Sequence, residues 1–275
     1  MFSKLVARGA RAGLQGLSGT CSASRALSVL PRSQQMYSKL DFRTSSLLSC
    51  NNLSMYGGNS TRALSSTATQ TPFNAKPSSL EIPDDSPDLA DLPMHQKLLL
   101  RFAGYNSKDS QITRGTEKLY NEIVAQSTND EIFKALKLEN NFRGQFSVTA
   151  LHIWLSLARL RSEGAVGKQM SQKLYDDWWE DVQKRVRDEG VRVRVSKWLK
   201  ELEEYFYGSC VAYDAALKEE PGELVDALWR NVYGAEGDKA GAVACAKYLR
   251  RELASISLTD GTAVLNGNIR FTRDY

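Results

Sequence analysis

"LHIWLSLARLRSEG", residues 151–164, decides the fold class of this 275-residue chain. On a helix, residues three and four apart share a face. His152, Ser156, Arg159 and Glu163 therefore form one polar stripe, while Leu151, Ile153, Trp154, Leu155, Leu157, Ala158 and Leu160 cover most of the rest. A helix apolar on most of its circumference is buried, and its stripe is expected to meet water or a polar groove. As chemistry the stretch is thin. A zinc site needs three or four ligands, and His95 is the only other histidine. Spacing assigns no Ser or Cys nucleophile to His152. The stretch reads as a core helix with one hydrogen-bonded histidine.

Working outward, no proline occurs between Pro93 and Pro221, and Leu, Ala, Lys and Glu are frequent there. That composition predicts helices near 95–103, 112–127, 129–138, 146–163, 167–189, 194–218, 221–233 and 239–257. Ser147 or Phe146 marks the start of the helix carrying His152. Pro221 fits a first helical turn, with Glu223 near its positive end. Gly164, Gly190 and Gly234 follow periodic runs as helix stops do. At the end of the chain, "NG" at 266–267 lies between β-prone Val264, Leu265 and Ile269, Phe271, which fits a small hairpin or an irregular tail. Residues 94–275 suffice for one buried core, and the apolar stripes are wide rather than heptad-like. The expected fold is all-α, a single multi-helix domain without internal repeats.

The N-terminal side has a different character. Residues 1–70 hold eight Lys or Arg and a single acid, Asp41. Phe2, Leu5 and Val6 recur at helical spacing, with Lys4, Arg8 and Arg11 on other faces. A basic, acid-poor, amphipathic leader of this kind reads as a mitochondrial transit peptide, expected to be disordered. "RALS" occurs at 25–28 and 62–65, and the second copy better fits the shift in composition. Residues 71–93 carry Pro72, Pro77, Pro83, Pro87 and Pro93 and read as a linker or extended arm. The whole chain is +4; with the leader at +7, the remainder is −3. The basic balance belongs to the address label, which removes the main support for DNA binding. Cys210 and Cys245 remain after the leader, without metal-ligand spacing, and read as small core residues in a reducing compartment. No run of 18 or more apolar residues is present.

Three further stretches carry candidate sites. In "LYDDWWEDVQKRVRDEG", 174–190, Asp177 and Asp181 stand one turn apart, a DxxxD pattern like that with which all-α isoprenoid synthases hold magnesium against a diphosphate. Such an enzyme needs a second carboxylate-rich helix, and the other DxxxD, Asp84 to Asp88, contains Pro87. The alternative is a solvated acidic face beside two core tryptophans, Trp178 and Trp179. "QKRVRDEGVRVRVSKWLK", 183–200, joins two helices and carries Lys184, Arg185, Arg187, Arg192, Arg194, Lys197 and Lys200 against Asp188 and Glu189. A basic corner on an acidic protein suits ribosomal RNA, an acidic partner or lipid head groups; it is also what a charged helix–helix corner looks like. The third region gathers Trp198, Tyr205 and Tyr207 with Trp229, Arg230 and Asn231, a mixture found both in partner-binding patches and in cores. No GxGxxG, Walker loop or paired CxxC occurs. No cofactor is assigned.

The order of motifs says more than any one of them. "LHIWLSLARLRSEG", "LYDDWWEDVQKRVRDEGV", "KELEEYFYGSCVAYDAAL", "ALWRNVYG", "AKYLRRELASI" and "LNGNIRF" in series resemble the ubiquinol–cytochrome c chaperone family over about 145–271. The resemblance implies a non-enzymatic assembly factor for respiratory complex III, on the matrix side and peripherally associated with the inner membrane. It implies action with a small partner protein on newly made cytochrome b, near the mitochondrial ribosome's exit tunnel in the best-known case. It gives the basic corner a docking role on ribosome or membrane, and an apolar groove a role in holding a hydrophobic client segment. It implies no catalytic residues. Cytochrome b acquires haem during assembly, but His152 alone makes no haem site.

Overall fold

The computed structural model describes residues 93–95 and 107–273. The leader, the arm up to residue 92 and most of the helix expected at 95–103 lie outside the described residues. From residue 107 onward the chain forms α1 (Lys108–Ser127), α2 (Asp130–Leu136), α3 (Phe142–Leu160), a 3-10 turn (Arg161–Glu163), α4 (Gly164–Asp188), α5 (Val195–Ala216), α6 (Pro221–Asn231), α7 (Ala240–Leu258) and α8 (Gly261–Leu265). There is no strand among the described residues. The domain is all-α, as the helical periodicity predicts.

Helix α3 is the axis of the packing. It contacts α1, α4 and α7; α5 and α6 pack on one another, and α6 packs on α7. Every residue from Phe146 to Leu157 is buried. The helix starts earlier than Ser147 because Asn141 caps it: its Oδ1 accepts from the Gly144 amide at 2.9 Å. Ser147 is an interior, buried helix residue instead.

The polar stripe on α3 meets neither water nor a groove. His152, Ser156 and Arg159 are all buried. The reason is the end of α7, whose last carbonyls lack helical partners. Arg159 crosses to them: Nε donates to the Ile256 carbonyl and Nη2 to the Thr259 carbonyl, both at 3.0 Å. Glu163 pairs with the same guanidinium. One helix thus caps another.

The "NG" at 266–267 is a helix stop, and the hairpin alternative is not what forms. The Asn268 amide donates to the Ala263 carbonyl at 2.9 Å and the Gly267 amide to the Val264 carbonyl at 3.0 Å, with Gly267 at φ 73°. This is the Schellman pattern closing α8. Gly267 meets Gly115 of α1 backbone to backbone, where a Cβ on either glycine would strike a carbonyl oxygen. The tail then runs across the helices, burying Ile269 and Phe271, and Gln126 Nε2 holds the Thr272 carbonyl at 2.9 Å.

Candidate functional site

His152 shows how the core spends its polar groups. Its Nδ1 lies 2.7 Å from the Val148 carbonyl and its Nε2 2.7 Å from the Tyr248 hydroxyl. A carbonyl only accepts, so Nδ1 carries the proton and Nε2 accepts from Tyr248. The Tyr248 oxygen accepts in turn from Gln126 Nε2 at 3.1 Å, and Phe271 sets its ring edge-on to the imidazole at 4.6 Å. Burial disfavours the imidazolium and pushes the pKa down to about 4. His152 is a structural link between α1, α3, α7 and the tail.

Asp177 and Asp181 lie on the outer side of α4, each with a cation one turn away. Lys173 Nζ reaches Asp177 at 3.0 Å and Arg185 Nε reaches Asp181 at 2.7 Å. Asp181 also accepts from the Tyr120 hydroxyl at 2.9 Å, and burial with that carboxylate raises the phenol's pKa. Together with Glu180, Lys184, Arg187 and Asp188 they line a shallow surface depression. Among the described residues, no group of three or more His, Cys, Asp or Glu side chains is placed to hold a metal ion. Trp178 and Trp179 stand in the core between α4 and α5: Tyr175 stacks on Trp179 and Tyr207, while Trp178 meets Tyr175 edge-on and Phe206 at a tilt.

The basic corner is the α4–α5 junction. Gly190, at φ 81°, ends α4, and Arg194, at φ 55°, sits immediately before α5. Arg187, Arg192, Arg194 and Lys197 are exposed, and Trp198 is half-buried. Arg185 is tied to Asp181 and points back along α4. The α5 N-terminus has no side-chain cap and no acid in its first turn, so the positive end of its dipole adds to the side-chain charge.

The remaining sequence candidates lie elsewhere. The Tyr205 hydroxyl donates to the Asn231 carbonyl, tying α5 to the end of α6. Tyr207 is only 8 % exposed and donates to the Tyr175 hydroxyl at 3.2 Å, so it belongs to the core. Trp229 is half-buried under Lys239, whose Nζ lies 5.1 Å from the ring centroid; Arg230 is exposed beside it. Thus Arg187, Arg192, Arg194, Lys197 and Trp198 fall at the α4–α5 junction, and Trp229 with Arg230 on α6. Sequence reasoning passed over Val193, the most exposed large apolar residue between 107 and 273, at 74 %. Its signal is the "VRVRV" alternation, which interleaves aliphatic side chains with the charges.

Residues 134–271 match the family described as ubiquinol-cytochrome C chaperone. The chain belongs to this family. The match extends the resemblance seen in the motifs back to α2 and covers the central helix, the corner and the Schellman-closed tail. Relatives include the ubiquinol-cytochrome-c reductase complex assembly factor 1 of Xenopus laevis, 29% identical over 54% of this chain and 75% of its own length. The human protein of the same name is 27% identical over 54% of this chain and 50% of its own. Protein CBP3, mitochondrial, of Saccharomyces cerevisiae is 26% identical over 55% of this chain and 47% of its own. The chain therefore spans three quarters of the frog relative but about half of the human and yeast ones. The crystal structure of the Cbp3 homolog from Brucella abortus shares the fold, with a TM-score of 0.53 at 24% identity, over 65% of this chain and 97% of that one.

Proposed function

We propose that this protein is a non-enzymatic assembly factor for mitochondrial respiratory complex III that holds newly made cytochrome b. The observation that carries this reading is the family match over 134–271, which falls on the packed helical unit. Relatives named as complex III assembly factors agree with it. In this reading residues 1–70 direct import and are removed, residues 71–93 form an arm, and residues 94–275 are the chaperone domain. The protein works in the matrix, peripherally on the inner membrane, with a small partner protein and near the mitochondrial ribosome's exit. Exposed Arg187, Arg192, Arg194 and Lys197 at the corner, and half-buried Trp229 with exposed Arg230 on α6, are its candidate contacts.

The cations beside Asp177 and Asp181 favour this reading over diphosphate chemistry. An aspartate pair committed to Lys173 and Arg185 has its charge compensated before any magnesium arrives. The test is depletion of the protein in its own cells, followed by native electrophoresis of the respiratory complexes. Selective loss of complex III, restored by the Asp177→Asn/Asp181→Asn variant, supports the assembly role. Normal complex III contradicts it.

A further inference from the structure

The corner between α4 and α5 carries a feature that charge alone does not explain. In "VRVRV", 191–195, Val191 and Val195 are half-buried and pack against the core, while Val193 between them stands 74 % exposed. The left-handed backbone at Arg194 turns the chain at this point. That conformation is uncommon for a residue with a Cβ. The apex is short and braced at both ends, by the end of α4 at Gly190 and by the start of α5. It presents one aliphatic side chain outward, flanked by two arginines.

Those arginines are available. No ion pair of the described residues engages Arg192 or Arg194, and both are exposed. Lys197 and Lys200 approach Glu201 and Glu204 only at 3.8 Å. From Gly190 to Lys200 the chain holds four cations and no acid; Asp188 and Glu189 lie on the α4 side of Gly190. Trp198, one turn into α5, is half-buried, and amphipathic indoles concentrate at membrane interfaces.

We propose that this corner is a membrane-docking tip, with Val193 entering the head-group/acyl boundary of an anionic bilayer while Arg192 and Arg194 engage lipid phosphates. RNA would satisfy the arginines but offers nothing to an aliphatic apex, because single-stranded and loop recognition stacks bases on aromatic rings or guanidinium planes. A bilayer interface takes both the apolar side chain and the cations. This deepens the membrane association in the proposed function by naming the element that makes it and the lipid class it needs. Each cation near an anionic leaflet raises partition roughly five-fold.

The basic leader would itself bind anionic vesicles, so the test must report position. In the full chain, Cys21 and Cys50 are changed to Ser and an environment-sensitive fluorophore is placed on Val193→Cys; Cys210 and Cys245 are buried. The comparison chain carries the fluorophore on Val211→Cys, exposed on α5 and about 24 Å further along the helix. Vesicles are phosphatidylcholine alone or mixed with phosphatidylglycerol, with and without brominated acyl chains. The tip predicts a blue shift and bromine quenching at 193 on phosphatidylglycerol vesicles only, and neither at 211. Adding Arg192→Gln and Arg194→Gln to the labelled chain should move the midpoint to about twenty-five-fold more lipid, with an unchanged thermal melt. A probe at 193 that stays water-like while the chain floats with the vesicles would overturn the proposal. So would a response indifferent to the arginine pair, or one elicited by ribosomal RNA and not by vesicles. The vesicles contain no client, so such a failure leaves the assembly reading standing, and the depletion experiment tests that reading without reference to the tip.

Discussion

At the scale of the residue, His152 links pH to stability. The folded imidazole stays neutral down to about pH 4, while an unfolded histidine takes up its proton near pH 6.5. Between those values the unfolded chain binds more protons, so stability is complete above about pH 6.5 and falls as the pH drops towards 4. The full difference is worth about 3 kcal/mol. Buried Glu252 has its pKa raised by burial, against the pull of Arg251, so its contribution has the opposite sign, falling as the pH rises above the ordinary carboxylate range. The His152 effect is therefore best read as a difference between two chains. Urea unfolding of His152→Gln should show a stability lower by roughly 1–3 kcal/mol at pH 7, from the broken relay to Tyr248. It should also show a shallower loss between about pH 6.5 and 4.5 than the parent. Parallel pH curves for the two chains would contradict the assignment.

At the scale of the element, the close crossing of α1 and the tail is the place where a single atom matters most. Gly115→Ala puts a Cβ against the Leu265 carbonyl and should cost roughly 1–3 kcal/mol. Gly208, inside α5 with open space around it, is the control: Gly208→Ala should raise stability by up to about 1 kcal/mol. Thermal melts of the two variants should shift in opposite directions. Phe271→Ala, emptying the tail's place against His152, should cost about 3–5 kcal/mol. The helices were legible because their periodicity and their stops at Gly190 and Gly234 are local properties of the chain. The errors came where a distant partner decides. Arg159 looks like a surface residue until the end of α7 is placed over it. "NG" between β-prone residues looks like a hairpin until α8 supplies the carbonyls it closes. Asn141, the α3 cap, is masked in the sequence by Phe146 and the apolar run after it, which draw the apparent boundary inward. Of the candidate contacts, the corner was legible as a run of charge, whereas the exposure of Val193 depends on Val191 and Val195 being taken up by the core. Nothing local in "KELEEYFYG" distinguishes Tyr207, buried against Tyr175, from a surface tyrosine.

At the scale of the whole molecule, the chain combines a basic N-terminal stretch, residues 1–70, with an acidic remainder and a helical unit whose buried polar groups hold helices together. No helix among the described residues is long and apolar enough to cross a membrane. In the proposed function, action on cytochrome b falls to surfaces, not to buried chemistry. Substitutions of Arg192 and Arg194 should therefore leave the fold intact and weaken membrane engagement, while core changes such as Gly115→Ala should act through stability. A thermal melt beside a vesicle-binding curve separates the two. The most direct measurement of the central claim is capture of the tagged protein from mitochondria after a pulse of labelled organellar translation, with the products resolved on a gel. The account predicts selective enrichment of newly made cytochrome b over the other labelled products. Capture without cytochrome b, together with normal complex III when the protein is depleted, would contradict it.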